Sequence, residues 1–147
     1  MVPNYQILTQ KLILISEGND RETLYIADNY FLCGMAQNRQ YLDEVSHALL
    51  DAGTITDICI CTKELNFKNG DGAFAANFNA FSAIMDNNHV TVRHQKVLGL
   101  HGRYWIRGDK GFCLDGSLNG IGKYLILGFE LSGEDLHSVK VYFNIDE

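Results

Sequence analysis

Four side chains suited to phosphoryl transfer fall within residues 101–123, HGRYWIRGDKGFCLDGSLNGIGK. His101 and Arg103 precede a polar turn, and Ser117 and Asn119 follow it. A histidine can attack phosphorus to form a covalent phosphohistidine, while a guanidinium binds two phosphate oxygens and hydroxyl and amide groups donate to the others. The segment therefore predicts a phosphodiester-transfer site that needs no metal and no other cofactor.

The spacing of these residues indicates a β-hairpin. The turn RGDKG separates the apolar runs YWI and FCL, which is typical of two antiparallel strands. If the turn is centred on Asp109, His101 lies opposite Ser117 and Arg103 lies opposite Asp115. We therefore expect the polar groups to converge on one face, with Asp109 or Asp115 orienting the imidazole. A slip of one residue in the pairing would separate the faces.

Further cations flank this segment. His94-Gln95-Lys96 offers a second imidazole and ammonium, but GSLN lies too far along the chain for a tight hairpin to return it to His94. We expect His94 and Lys96 to face solvent or line the same cleft, and Lys123 to contact phosphate. An acidic protein needs such a local basic patch to hold a phosphate. The predicted patch comprises Arg93, His94, Lys96, Arg103 and Arg107.

The length and net charge of the chain limit the classes of protein to which it can belong. The chain has 147 residues, 46% of them hydrophobic, which predicts a single domain over residues 1–147. Its net charge of -6 argues against broad electrostatic binding to nucleic acid or anionic membranes. The sequence contains no run of about 18 apolar residues and no secretory signal pattern. We predict a cytoplasmic protein with no transmembrane segment.

Hydrophobic periodicity predicts an α/β fold. KLILIS and TLYIADNYFL have the pattern of an N-terminal hairpin, or of one strand preceded by an arm. Helices are predicted over residues 37–52 and from Phe74 to Met85, and strands at DICICT and HVTVRHQKVLGL. Helical crossovers between strands favour a parallel sheet. The expected architecture is a mixed β-sheet flanked by helices, β-α-β-α-β followed by a β-hairpin and a C-terminal helix or strand.

Cysteines do not suggest a disulfide framework or a zinc site. Cys59 and Cys61 alternate within TDICICT, so both thiols point to one face of a strand. No matching Cys or His pair at ligand spacing occurs elsewhere in the sequence. We expect both to be buried as small core residues.

The hairpin segment resembles the signature of the phospholipase D superfamily. That signature is His-x-Lys, an Asp four residues later, and after about six residues Gly-Ser-x-Asn or Gly-Ser-x-x-Asn. This chain has His101-Gly102-Arg103, then Asp109 one place later than the pattern, then Gly116-Ser117-Leu118-Asn119. GSLNGIGK is similar to short single-motif phospholipase D-like proteins of bacteria. The resemblance covers roughly Leu24 to Lys123.

The resemblance implies a phospholipase D-like fold and a metal-independent phosphodiesterase with a phosphohistidine intermediate. We expect a nuclease, because no amphipathic membrane-binding segment stands out. Such cleavage needs a nucleophile and a separate general acid, which two copies of the motif supply in that superfamily. This chain has one copy, so we predict a homodimer in which each protomer provides one His101 to a shared cleft.

Arg103 replaces the lysine of the superfamily, and the two residues are not interchangeable. A His-x-Arg form, usually with Asp between, occurs in the phospholipase D-like domain that follows MIT domains in eukaryotic proteins. That domain binds phosphoinositide-containing membranes and is not thought to hydrolyse them. The alternative function is thus a catalytically degenerate domain that binds a phosphate-bearing ligand or a protein partner. A third hypothesis is a plain α/β interaction module in which the hairpin motif is coincidental.

Overall fold

The computed structural model of the chain describes residues 4–28, 39–63, 72–97, 102–114, 128–131, 133–142 and Ile145. Four helices and six strands lie within these ranges. The helices are α1 (Asn4–Ser16), α2 (Arg39–Asp51), α3 (Gly72–Asp86) and α4 (Gly133–Tyr142). The strands are β1 (Leu24–Asp28), β2 (Asp57–Lys63), β3 (Thr91–Val97), β4 (Arg103–Arg107), β5 (Lys110–Leu114) and β6 (Gly128–Glu130).

The six strands form one mixed sheet in the order β3-β2-β1-β4-β5-β6. Strands β1, β2 and β3 are parallel and are joined by the crossovers that contain α2 and α3. β4 pairs antiparallel with β1, β5 with β4, and β6 with β5. The predicted α/β class, with a mixed sheet flanked by helices, is confirmed. The C-terminal element, which was expected to be a helix or a strand, is the helix α4.

The N-terminal segment is a helix followed by the single strand β1, so the prediction of a β-hairpin there is wrong and the alternative of one strand after an N-terminal arm is the nearer of the two. Leu8, Leu12 and Ile15 recur at helical spacing and are almost fully buried, whereas Ile13 and Leu14 are 45% and 48% exposed. The run KLILIS is apolar at nearly every position and therefore fits a strand as well as a helix. Packing of one stripe of α1 against the sheet decides between them.

The two faces of the sheet carry different layers. On the helical face, α1, α2 and α3 pack over strand residues such as Ile26, Ile58 and Trp105 in the larger apolar cluster. On the opposite face, Cys59 and Cys61 are fully buried in a smaller cluster that includes Leu136 of α4. The expected burial of both thiols is confirmed. In the described part of the chain, no helix is both long and apolar enough to cross a membrane.

The turn of the β4–β5 hairpin sets a pairing that differs from the expected one by one residue. Arg107 pairs with Lys110 and Tyr104 with Cys113, which leaves a two-residue loop. The first loop residue, Gly108, has a φ of 61°, a left-handed conformation that favours glycine and permits so short a loop. In this register the face carrying Arg103 and Trp105 continues on Phe112, where the Trp105 and Phe112 rings stack with centroids 6.0 Å apart.

The end of α3 is closed by a Schellman motif. The Val90 amide donates to the Met85 carbonyl at 2.9 Å, and the His89 amide donates to the Asp86 carbonyl at 3.0 Å. His89 has a φ of 63°, which is unusual for a residue other than glycine. Both Met85 and Val90 are buried, so the motif also directs the chain from α3 into β3.

Candidate functional site

Four polar residues occupy one face of the sheet at its carboxyl end, where the parallel strands end and β4 begins. Each continues the alternation of the apolar residues that face α1, α2 and α3, so all four side chains lie on the helical face. We call these residues the polar row. They are Asp28 on β1, Thr62 on β2, Lys96 on β3 and Arg103 on β4.

Strand pairing makes the members of the polar row neighbours. Asp28 is the cross-strand partner of Arg103, and Thr62 is the partner of Lys96. Ala27 pairs with Cys61, so Asp28 and Thr62 occupy the next positions on adjacent strands. With strands about 4.8 Å apart, the row extends about 14 Å from the Cα of Lys96 to that of Arg103. Its cations stand at the two ends, with a carboxylate and a hydroxyl between.

Asp28 is the most deeply buried charged residue of the row. Its side chain has no exposed surface, and its Oδ1 lies 4.0 Å from Nε of Arg103, whose side chain is 27% exposed. Burying a carboxylate costs free energy unless a cation compensates it. The positive charge of Arg103 therefore partly compensates the buried carboxylate of Asp28 at the carboxyl end of the sheet.

His94 belongs to this region but does not add a cation to it. Its Nε2 lies 2.5 Å from the Thr62 hydroxyl, and its ring meets that of Phe78 edge-on, with centroids 6.2 Å apart. Burial lowers the pKa of His94, and the positive charge of Lys96 lowers it further. The imidazole is therefore held neutral at physiological pH. The lowered pKa argues against the expected contribution of His94 to the positive charge of the patch.

Two arginines of the predicted basic patch also lie elsewhere. Arg93 projects from the opposite face of β3, where its Nη2 donates to Asp57 Oδ2 at 3.3 Å. Arg107 is fully buried at the amino end of the sheet. Its guanidinium donates to the carbonyl oxygens of Asp20, Glu22 and Thr54 and to the hydroxyls of Ser16 and Thr54. The patch reduces to Lys96 and Arg103 among the described residues.

Asp109 is not near Arg103. It is an exposed residue of the β4–β5 turn, just beyond the last residue of β4, and therefore lies about 15 Å from Arg103. Its Oδ1 accepts a hydrogen bond of 2.8 Å from Asn19 Nδ2. That bond is the main cause of a pKa below the usual range for this carboxyl. The structure thus places Asp109 at the opposite end of the sheet from the polar row.

Several predicted site residues lie outside the described part of the chain. They are His101, Asp115, Ser117, Asn119 and Lys123. Their convergence with Arg103 remains a prediction. The described residues instead add Asp28, Thr62 and Phe78, which sequence reasoning did not single out. An aspartate closing the buried run LYIAD is the one signal that could have identified Asp28.

The chain matches no known protein-family model, and no curated protein matches it. Among the described residues, no three His, Cys, Asp or Glu side chains are grouped so that they could hold a metal ion. What the polar row can do chemically follows from its groups. A partly exposed guanidinium and an exposed ammonium at the carboxyl end of a sheet can bind phosphate oxygens.

Proposed function

We propose that this chain is a phospholipase D-like phosphodiesterase, a metal-independent nuclease that acts as a homodimer. The position of Arg103 carries the proposal. It lies at the carboxyl end of the sheet, within ion-pair distance of Asp28, and His101 precedes it by two residues in the sequence. β5 ends beside it at Leu114, three residues before Ser117. Ligands of α/β sheets bind preferentially at this end of the strands.

In the proposed reaction, a ring nitrogen of His101 attacks the phosphorus atom of a phosphodiester. A phosphorus–nitrogen bond forms while the bond to the leaving oxygen breaks, and that oxygen takes a proton from a general acid. Water then attacks the phosphohistidine, loses a proton to the same group, and releases His101. Arg103 stabilises the negative charge on the non-bridging oxygens in both steps.

The general acid in this proposal is His101 of a second protomer. One chain contains one copy of the motif, and His94 cannot replace the second histidine easily. It lies on β3, with β2 and β1 between it and β4, and its Nε2 already contacts Thr62. A two-fold dimer that joins the carboxyl ends of two sheets would supply both histidines to one phosphate.

The separation of Asp109 from Arg103 changes one proposed role. A carboxylate at the β4–β5 turn cannot orient an imidazole near Arg103 over about 15 Å. We therefore assign the orientation of the His101 ring to Asp115 alone. The observed register is shifted by one residue from the one centred on Asp109, so this assignment requires the chain to leave the hairpin pairing after Leu114, where β5 ends. Ser117 and Asn119 complete the phosphate pocket by donating hydrogen bonds, and Lys123 provides a further cation.

A second candidate is a catalytically degenerate domain that binds a phosphate-bearing ligand or a protein partner without cleaving anything. The Arg103–Asp28 pair favours it. A guanidinium binds phosphate in a fixed planar geometry, and a carboxylate beside it reduces the positive charge that can stabilise a transition state.

Hydrolysis in EDTA tests the choice between them. Fluorescent single- and double-stranded DNA and RNA would be incubated with wild type, His101→Ala and Arg103→Lys, with Lys110→Ala as a control for loss of a distant cation. The proposal predicts cleavage that survives chelation, disappears in His101→Ala and is unchanged in Lys110→Ala. If clean, folded wild type cleaves nothing but Arg103→Lys does, the domain is a weakened enzyme; if neither cleaves, the catalytic proposal is refuted.

A further inference from the structure

The β3 end of the polar row combines an aromatic pair with a cation. Phe78 of α3 and His94 of β3 are both half-buried, and their rings meet at 83°. Lys96 is exposed, lies two residues beyond His94 and projects from the same face of the strand. No step of the proposed reaction uses Phe78 or His94.

The aromatic pair is held in place from two sides. The Thr62 hydroxyl lies 2.5 Å from Nε2 of His94, and Thr62 itself is fully buried. Phe78 packs against the larger apolar cluster through the buried part of its ring. Preorganised rings lose little conformational entropy when a ligand stacks on them.

We propose that Phe78, His94 and Lys96 form a nucleoside subsite, in which a base packs on the aromatic pair and the adjacent phosphate contacts Lys96. This inference rests on the proposed function and extends it by naming the substrate class as single-stranded nucleic acid. Aromatic rings beside a cation bind single strands by stacking and charge, whereas a lipid headgroup offers no aromatic ring to stack. A paired base is already stacked in its duplex and cannot occupy the site.

The length of the polar row agrees with a polymeric ligand. The Cα atoms of Lys96 and Arg103 stand about 14 Å apart, measured by strand spacing. A strand that places one phosphate at Arg103 and a neighbouring nucleotide on Phe78 follows the row across the carboxyl end of the sheet. Asp28 and Thr62 lie beneath its path.

Binding of paired oligonucleotides tests the subsite. A labelled ten-residue oligothymidine and an abasic oligomer of the same length and charge would be titrated by fluorescence anisotropy in EDTA, in the His101→Ala background to prevent turnover. The parent protein is expected to bind oligothymidine about tenfold more tightly than the abasic oligomer, given the free energy of stacking one base. Phe78→Leu, which keeps an apolar side chain against the core, should bring this ratio close to one.

Lys96→Ala provides an independent readout that leaves the core intact. It should weaken binding of both oligomers several-fold and reduce the slope of log affinity against log salt by about one. Lys110→Ala, an exposed cation at the other end of β4–β5, is the matched control and should change neither.

The outcomes separate this inference from the proposed function. Equal affinity of the parent protein for the two oligomers, or binding of neither, overturns the nucleoside subsite whatever the hydrolysis assay gives. A base-dependent affinity that requires Phe78 and Lys96 supports the subsite even if no substrate is cleaved, in which case only the catalytic proposal fails. If the protein cleaves nucleic acid but shows no base-dependent affinity, the phosphodiesterase proposal stands and the nucleoside subsite is refuted.

Discussion

Replacing Arg107 by methionine should destabilise the protein more than any exposed substitution. The guanidinium makes five hydrogen bonds of 2.6–3.1 Å to three carbonyls and two hydroxyls, and the residue is fully buried. At about 1 kcal/mol net for each bond, their loss would cost about 5 kcal/mol, and the desolvation of the cation, which methionine avoids, offsets part of it. We expect the free energy of unfolding to fall by about 3–4 kcal/mol.

Urea unfolding followed by tryptophan fluorescence measures this change directly. Trp105 is the only tryptophan in the chain, is fully buried and lies two residues from Arg107. At a slope of about 2 kcal/mol per molar urea, the midpoint should fall by roughly 1.5–2 M. Arg107→Lys should lose somewhat less, because an ammonium keeps the charge but has three donors instead of five.

Lys110→Met is the control, since the Lys110 side chain is 41% exposed and its contact with Glu17 spans 3.9 Å. An exposed ion pair of this kind contributes less than about 1 kcal/mol. If Arg107→Met unfolds within about 1 kcal/mol of wild type, the five bonds do not hold α1, β4 and the segments before β1 and β2 together, and the reasoning is refuted.

Three further predictions concern two turns and the half-buried His94. His89→Gly should raise the free energy of unfolding by about 0.5–1 kcal/mol, because glycine adopts the left-handed conformation without a side-chain penalty; an unchanged urea midpoint would contradict this. Gly108→Ala should lower the free energy of unfolding by more than 1 kcal/mol, because φ is left-handed there and the new Cβ would meet the Asn19 side chain. Exposed Gly18→Ala is the comparison, since nothing lies near a Cβ at that position. His94 has a lowered folded-state pKa, so the unfolded chain binds the proton more tightly, and stability should fall as pH drops below the unfolded value near 6.5. His94→Gln should reduce the fall in the urea midpoint between pH 7.5 and 5.5, and a fall as large as that of wild type would contradict this prediction.

The local periodicity of apolar residues was sufficient to predict most of the described helices and strands. The apolar stripes of α2 and α3 depend on residues three or four apart in the sequence. The alternation of Cys59 and Cys61 depends on residues two apart. The segment KLILIS was predicted wrongly because a continuous apolar run carries no period of its own. Its helix depends on Leu8, which lies outside that run, and on the sheet beneath it.

The candidate site depended on pairings that the sequence does not reveal. Asp28 and Arg103 are 75 positions apart and meet because β4 pairs with β1, which is a non-local feature of the sheet. Asp109 is close to Arg103 in sequence and distant in space, because a strand separates them. The one-residue shift in the hairpin depends on the conformation of Gly108, since the segment RGDKG fits loops of two or three residues equally well.

The buried Arg107 also has a consequence for acid resistance. None of its five acceptors titrates, since all are backbone carbonyls or hydroxyls, and arginine keeps its proton throughout the accessible range. Protonation therefore removes none of these five bonds, whereas it directly disturbs His94 near the polar row. Mild acid should therefore weaken the contacts of His94 while the five bonds that join Arg107 to α1 and its neighbours persist.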